Sequence, residues 1–577
     1  MPPVKDQISQ QEPAWASFRF LNITQFIGAM NDNIFKLLLA FCFISLEGAQ
    51  SSNKILALAG GIYVLPFIFL SSTAGILADR YSKRSIIVST RIAEILVIIF
   101  GMFALHFSSK FLGFTALFLL ACHSAIFGPC KYGIVPEIVP KESISKANGL
   151  LTSFSYIAII AGTFLAAFLA DITDRSYVIA LTFSLICSCI ALFAAFHIQW
   201  TPPAGSRKKV SPWLHKEVLA NLRIIRREPS LLSAVIGSAF FLFAGSYVQL
   251  NMIPFAMKIL HMTDVQGGYM FLLTAFGIGV GSLISGKLSG KTVEFGLVPL
   301  GGIGMALSCL FLDVWSDTTW IVLLFVFLIG MFGGMYLVPL ESYIQVASPK
   351  TRRGQIVATG NILGFLGVLL SALSMYVLSE VVGLEPDTGF AIIGCITLVM
   401  AIAISISISG YVIRFFSLLA SYFFSKTRLQ GKEHVPLDTP SIFFVPHSFW
   451  PWAIILLASQ RRRMRFLTLS PQTKPPFWAS LARRCIPIVE IQDIQEVFPE
   501  GDSQELIRHP IERGISVALF CSKKTLSEQV DPLVKAWSQE TGMQKVSFFA
   551  VMVPETISEE NVRTTLSAQI EPLISIY

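Results

Sequence analysis

The chain has 577 residues and a formal net charge of +8, yet only 14% of its residues are charged while 53% are hydrophobic. Soluble domains carry about 25% charged residues, and a mean hydropathy of +0.65 argues against a soluble multi-domain enzyme. The charges fall in short islands between apolar runs of about 20 residues, the length that spans a bilayer. The first residues, "MPPVKDQISQQEPAWASFR", are polar, so no cleavable signal peptide is expected. The nine cysteines form no CxxC pair, which predicts neither a disulfide framework nor a metal site, and no cofactor is implied.

Twelve spans are predicted, six at 18–46, 55–78, 86–107, 111–128, 150–170 and 178–198. Six more follow at 231–260, 268–288, 297–312, 320–340, 356–378 and 390–424. One alternating set of loops holds clusters such as Arg80, Lys83 and Arg84, or Lys350, Arg352 and Arg353. The other set has only Lys54, Lys110, Arg175 and Lys258 against acids such as Asp313, Asp317, Glu380, Glu385 and Asp387. Cytoplasmic loops carry the Lys/Arg excess, so both termini are expected in the cytoplasm, and the basic balance needs no nucleic acid to explain it. The expectation is an all-α polytopic membrane protein of twelve helices. Its halves span 1–200 and 231–424, joined by a basic linker at 201–230 and followed by a small cytoplasmic α/β domain at 436–577. "FGPCKYGIVPEIVPKESISKANG" and "GGMYLVPLESYIQVASPKTRRGQIVATGN" recur about 210 residues apart, as expected of parallel six-helix repeats in secondary transporters.

Ionisable groups within spans are costly and normally face the protein interior. Asp32 and Lys36 lie four apart in the first span, on one helix face with Asn33 nearby. Lys131 sits beside Pro129 at the expected cytoplasmic end of the fourth span, and Glu341 at the end of the tenth. These five are candidates for a polar binding wall. Asp32 with Lys36 reads equally as an internal ion pair that fixes packing, and Lys131 as a marker of the cytoplasmic boundary. Arg91 and Glu94, three apart, read as a structural pair, and Asn33, Asn148 and Asn361 as helix-packing hydrogen bonders.

Between the second and third spans lies "GILADRYSKR", Gly75 to Arg84. It resembles the signature of the major facilitator superfamily in that loop: a glycine, an acid–base pair four and five residues on, then paired basics. The resemblance implies close helix contact at Gly75 and hydrogen bonds from a neighbouring helix N-terminus to Asp79. Arg80, Lys83 and Arg84 would hold the cytoplasmic face together as part of a gate. Ser82 stands where the signature usually has glycine. "QFIGAMNDNIFK", "FGPCKYGIVPEIVPKESISKANGL" and "GGMYLVPLESYIQ" together resemble the bacterial lysophospholipid transporter branch, over roughly residues 15–410. That branch implies movement of lysophospholipids across the cytoplasmic (inner) membrane for re-acylation. An efflux protein for drugs or metabolites is the alternative.

The tail resembles a glycerolipid acyltransferase domain, with "LQGKEHVP" at its start, "FFVPHSFWPW" at the catalytic motif and "RCIPIVEI" at the middle motif. In that family a histidine is followed five positions later by an aspartate that orients it. Here His447 is followed by Trp452, whose indole donates hydrogen bonds but cannot accept one from imidazole. "FPEG" at 498–501 matches the family's phosphate motif in letters but comes too early; "FCSK" at 520–523 stands in its expected place. His447 thus reads as a remnant or structural histidine, and the expected protein is a transporter, not an enzyme. A bifunctional transporter–acyltransferase is the competing reading. "RRRMR" at 461–465 suits either the anionic membrane surface or a solvated face. Besides the lipid substrate and membrane lipids, the resemblance admits a separate acyltransferase or an acyl-carrier-protein ligase as partner.

Overall fold

The computed structural model describes residues 15–48, 51–208, 214–290, 293–316 and 318–424, then seven strands within 428–575. The chain divides into two compact units, Met1–Ser407 and Ile408–Tyr577. In the first unit the leading six long helices are α1 (Trp15–Glu47), α2 (Ser52–Arg80), α3 (Lys83–His106), α4 (Lys110–Ile138), α5 (Ile144–Ile172) and α6 (Tyr177–Phe196). A short linker helix, α7 (Leu214–Ile225), leads to α8 (Pro229–Lys258), α9 (Asp264–Leu288) and α10 (Leu297–Val314). The unit closes with α11 (Thr319–Ala347), α12 (Arg353–Tyr376) and α13 (Pro386–Ser407). Twelve of these helices are long and apolar enough to cross a membrane. The helix is one of two forms that satisfy every backbone polar group without water, which is what lipid demands.

Packing repeats between the halves. In the first half α1 packs on α5 and α6, α2 on α4, and α3 on α4 and α6. In the second half α8 packs on α12 and α13, α9 on α11, and α10 on α11 and α13. Each pairing has its counterpart seven helices later. The seams between halves obey the same symmetry: α2 meets α12, and α5 meets α9. Both seams involve the end of the bundle that carries the basic loops.

Two helices outrun their expected spans. α4 continues through Pro129 and Pro136 to Ile138, and α11 through Pro339 to Ala347. Proline within a membrane helix is tolerated where neighbours re-satisfy the freed backbone groups. Lys131 therefore sits about 10 Å inside the end of α4 rather than at it. The twelfth span is instead shorter than expected and ends at Ser407. Residues 390–424 as one helix would reach about 50 Å, well beyond the roughly 30 Å hydrocarbon core. Ser409–Phe424 forms a separate helix, α14, which belongs to the second unit.

The second unit also holds one seven-stranded sheet in the order β1-β7-β6-β2-β5-β3-β4. The strands are β1 (Arg428–Gln430), β2 (Ser441–Val445), β3 (Met464–Leu469), β4 (Ile488–Ile491), β5 (Ser516–Phe520), β6 (Ser547–Met552) and β7 (Ser567–Ser575). Neighbours are parallel except β6 with β7. β2 to β6 coincide with short apolar runs in the tail sequence, such as SIFFV and SVALF. In β2 every residue is buried, as both faces of a parallel sheet require. β7 carries Pro572, and its pairing with β6 shifts register between Phe548 and Phe549.

At the seams, the side-chain amide of Asn148 on α5 donates to Ser342 Oγ (3.0 Å) and Gln345 Oε1 (3.1 Å) on α11, and Gln345 Nε2 donates back at 3.0 Å. Replacing one partner leaves a buried amide unsatisfied, at about 1–3 kcal/mol. Gln345→Leu should thus lower thermal stability in detergent more than the double change Asn148→Leu with Gln345→Leu. Equal losses would mean the two amides are not coupled.

Candidate functional site

The stretch Gly28–Lys36 on α1 divides by face. Gly28 and Asn31, three apart, look toward α3 and α6. A Cβ on Gly28 would collide with the guanidinium of Arg91, so glycine is what lets Arg91 reach α1. Arg91 and Glu94 form a buried ion pair, 2% and 0% exposed, and the guanidinium lies 4.3 Å from the centre of the Phe127 ring. Glu94 Oε1 also accepts from Asn31 Nδ2 (3.2 Å) and Ser188 Oγ (3.0 Å), while Asn31 Nδ2 reaches Ser188 Oγ at 2.9 Å. His123 Nε2 lies 3.7 Å from Glu94 Oε2. This knot ties α1, α3, α4 and α6 together.

Asp32 and Lys36 occupy a different face and are half-buried. The Asp32 carboxylate does not pair with Lys36. Its Oδ2 accepts from Tyr63 Oη (2.9 Å) on α2 and Ser124 Oγ (2.7 Å) on α4, while Oδ1 has no partner. The Lys36 amine stands 5.7 Å from the centre of the Tyr63 ring. Asn33 turns aside: its Nδ2 donates to the Ala29 carbonyl at 2.8 Å, and its Cβ lies against Gly162 on α5.

Nearer the basic-loop end, Lys131 projects from α4 with its amine 4.8 Å from the Tyr132 ring centre. Across the halves, Glu341 on α11 accepts from Ser238 Oγ on α8 at 2.6 Å. Lys131 and Glu341 come from opposite halves and form no ion pair among the described residues.

The residues of the "GILADRYSKR" stretch build the seam itself. Asp79 Oδ1 accepts from the Gly354 amide at 2.7 Å, and Oδ2 from the Gln355 amide (3.0 Å) and side chain (3.1 Å). It thereby satisfies the otherwise orphan donors at the N-terminus of α12. A Cβ on Gly75 already meets Ala358 at 2.7 Å, so a larger side chain would push the two helices apart. Lys83, 1% exposed, pairs with Glu137 at 2.6 Å. Arg84 donates to the Phe196 carbonyl at 2.9 Å. Arg80 is exposed and stacks on Tyr81. From the linker, Asn221 Nδ2 donates to Thr359 Oγ1 at 3.0 Å and Lys208 Nζ to Gln355 Oε1 at 3.1 Å.

Tyr63, Ser124, Ser238 and His123 were not picked out by sequence reasoning. His123 carried the same signal that exposed Arg91, a lone ionisable group within a span. The hydroxyls carried none, since Ser and Tyr are common in membrane helices. His447, Trp452 and residues 498–501 lie outside the described residues. Among the described residues, no cluster of three or more His, Cys, Asp or Glu side chains suits a metal ion.

These features define a polytopic membrane protein of two repeated six-helix halves, latched at one end around an interior that holds both acid and base. The chain belongs to the Major Facilitator Superfamily, whose profile matches residues 21–372 and again 235–461. The lysophospholipid transporter LplT of Photorhabdus laumondii is 25% identical over 380 residues, covering 63% of this chain and 89% of that protein. LplT of Serratia proteamaculans is 27% identical over 366 residues, covering 62% and 86%. Among solved structures, the human organic anion transporter MFSD10 matches with a TM-score of 0.55 at 14% identity, covering 67% of this chain and 99% of that one. At that identity the likeness speaks for the fold alone.

Breaking a buried ion pair by removing one partner costs about 3–5 kcal/mol, far more than replacing both. Glu94→Leu should therefore sharply lower the melting temperature in detergent, and Arg91→Leu in the same chain should restore part of it. Asp79→Ala, which strands the α12 N-terminus, should destabilise by about 1–3 kcal/mol. Wild-type stability in that variant would show that the carboxylate is not the latch.

Proposed function

We propose that this chain is a secondary transporter that moves lysophospholipids across the bacterial cytoplasmic membrane, where they are re-acylated. The observation that carries the reading is the unneutralised acid–base set in the spans. Asp32 accepts only from hydroxyls, Glu341 accepts from the Ser238 hydroxyl, and Lys131 makes no ion pair among the described residues. A phospho-amine headgroup needs both signs within reach, and each charged hydrogen bond is worth about 1.5–3 kcal/mol. Lys131 would take the phosphate, and Asp32 or Glu341 the ammonium. Lys36 completes the polar wall, while the Asn33 amide is spent on the Ala29 carbonyl. The relatives named as lysophospholipid transporters support this substrate class over drug efflux.

The Lys/Arg-rich loops support a topology with both termini in the cytoplasm. The latch at Asp79 and the Asn148–Gln345 pair then close the cytoplasmic side, and Gly75, Asp79, Arg80, Lys83 and Arg84 serve as the gate. The tail is a non-catalytic acyltransferase-like domain, suited to hold lipid or to recruit a separate acyltransferase or acyl-carrier-protein ligase.

Purified protein in proteoliposomes should move a fluorescent lysophosphatidylethanolamine faster than empty vesicles. Asp32→Asn and Lys131→Gln should each slow that movement about ten- to a hundredfold, the loss of one charged hydrogen bond, with melting temperatures close to wild type. No movement above empty vesicles would sink the lipid reading, and unchanged transport by Asp32→Asn would remove Asp32 from the site. Purified full-length protein given an acyl donor should leave lysolipid unacylated.

A further inference from the structure

At the end of the second half away from the basic loops, two cavities adjoin between α8, α12 and α13. The first is a polar pocket of about 210 Å³, lined by Tyr247, Asn251 and Lys258 of α8 and by Glu380, Glu385 and Pro386 beyond α12. The second is an apolar trough of about 320 Å³, lined by side chains that include Phe243, Leu370, Leu373, Val377 and Ile396. Tyr247 and Leu378 line both. Leu370, Leu373, Val377 and Ile396 are 38–57% exposed, so the trough opens sideways, on the side where lipid lies. Together the two cavities have the size of a ligand site, roughly 300–1,000 Å³.

Its construction is unusual in two respects. α12 does not end in a simple cap but passes into a π-helical turn at Val377–Val381, a rare form found often at functional sites. The chain then folds back through Gly383 at φ +76°, with the Leu384 amide donating to the Leu378 carbonyl at 2.9 Å. That turn carries Glu380, and the loop carries Glu385. Tyr247 is 2% exposed, and its hydroxyl, set against Gly389, makes no hydrogen bond. Asn251, 1% exposed, spends one amide hydrogen on the Pro386 carbonyl at 2.6 Å. Lys258 belongs to the sparsely basic loop set, where Lys110 is already paired with Glu47; Lys258 is exposed and makes no ion pair among the described residues. A cation and two carboxylates thus line one pocket without neutralising each other, above a trough wide enough for a chain of methylenes.

We propose that this is a second binding site for a single-chain zwitterionic lipid. Its phosphate would lie at Lys258, its ammonium at Glu380 and Glu385, its hydroxyl or ester at Tyr247 and Asn251, and its acyl chain in the trough. The site rests on the reading of the protein as a lysophospholipid carrier only for its purpose, which is capture of lipid from the leaflet at this end before it reaches the interior acid–base set. Burial of an acyl chain contributes about 0.8 kcal/mol per methylene, and the charges select the head.

The test uses full-length protein in nanodiscs and lysophosphatidylethanolamine with a photoreactive group in its tail, followed by mapping of labelled peptides. Labelling within residues 370–396 is expected. Ser374→Trp, at the trough wall, should reduce it about tenfold. Glu380→Gln with Glu385→Gln should cut the preference for lysophosphatidylethanolamine over lysophosphatidylglycerol about tenfold, one charged hydrogen bond. Lys258→Glu should weaken labelling by both lipids. Equal labelling by a photoreactive alkane without a headgroup would overturn the proposal, as would labelling indifferent to all three carboxylate and lysine changes. If the site labels as expected while proteoliposomes show no lipid movement, the binding site stands and the transport reading falls. Movement without labelling here overturns the site alone.

Discussion

A carboxylate from one half holds the first turn of a helix from the other. The leading amides of a helix have no partner within it, and at the membrane boundary water is a poor substitute. Asp79 supplies three acceptor contacts to α12, and Gly75 lets α2 come close enough for the carboxylate to reach. The symmetry-related seam, α5 against α9, is held by different means. There Gly149 and Gly286 bring backbones nearly into contact, with no charge between them. One seam is therefore a polar latch whose release exposes orphan donors, and the other a close backbone contact flanked by the Asn148–Gln345 amide pair. Asymmetry of this kind lets paired halves part along a defined line.

The first half concentrates buried charge. Arg91, Glu94 and His123 lie together, and Lys83 with Glu137 forms a second pair below them. A buried ion pair adds little net stability against well-packed apolar residues. Its effect here is positional: it locks α1 against α3, α4 and α6 on the Gly28–Asn31 face. The adjoining face of α1 then holds Asp32 at a fixed depth, against Tyr63 of α2 and Ser124 of α4. The apparent disorder of polarity in "GAMNDNIFK" resolves into two faces with two tasks.

The twelve spans were legible because they depend on hydropathy summed over tens of residues, and five of the seven described strands fall on short apolar runs of the tail. The ends of α4 and α11 were not, because Lys131, Glu137 and Glu341 look like loop residues until the structure supplies Glu341 with Ser238 and Glu137 with Lys83. Asp32 and Lys36 sit at the spacing of a helical ion pair, yet Asp32 found hydroxyls from α2 and α4. Spacing along one helix fixes which residues share a face, but neighbouring helices decide what that face meets. Gly28 gave no signal at all, since its function is to leave room for a side chain 63 residues away.

Charge in this bundle is arranged by depth. Lys258 with Glu380 and Glu385 lies at one end, Asp32 with Lys36 in the middle, and Lys131 with Glu341 toward the latch. In these three sets, unlike Arg91–Glu94, Lys83–Glu137 and Lys110–Glu47, both signs are present and the groups are not fused into ion pairs. A carrier for an anion or a cation would need only one sign, and the other would oppose binding. A carrier for a headgroup that bears both gains from both, because each step of its path then trades one pair of contacts for a similar pair, with no level so favourable that the head would stay there.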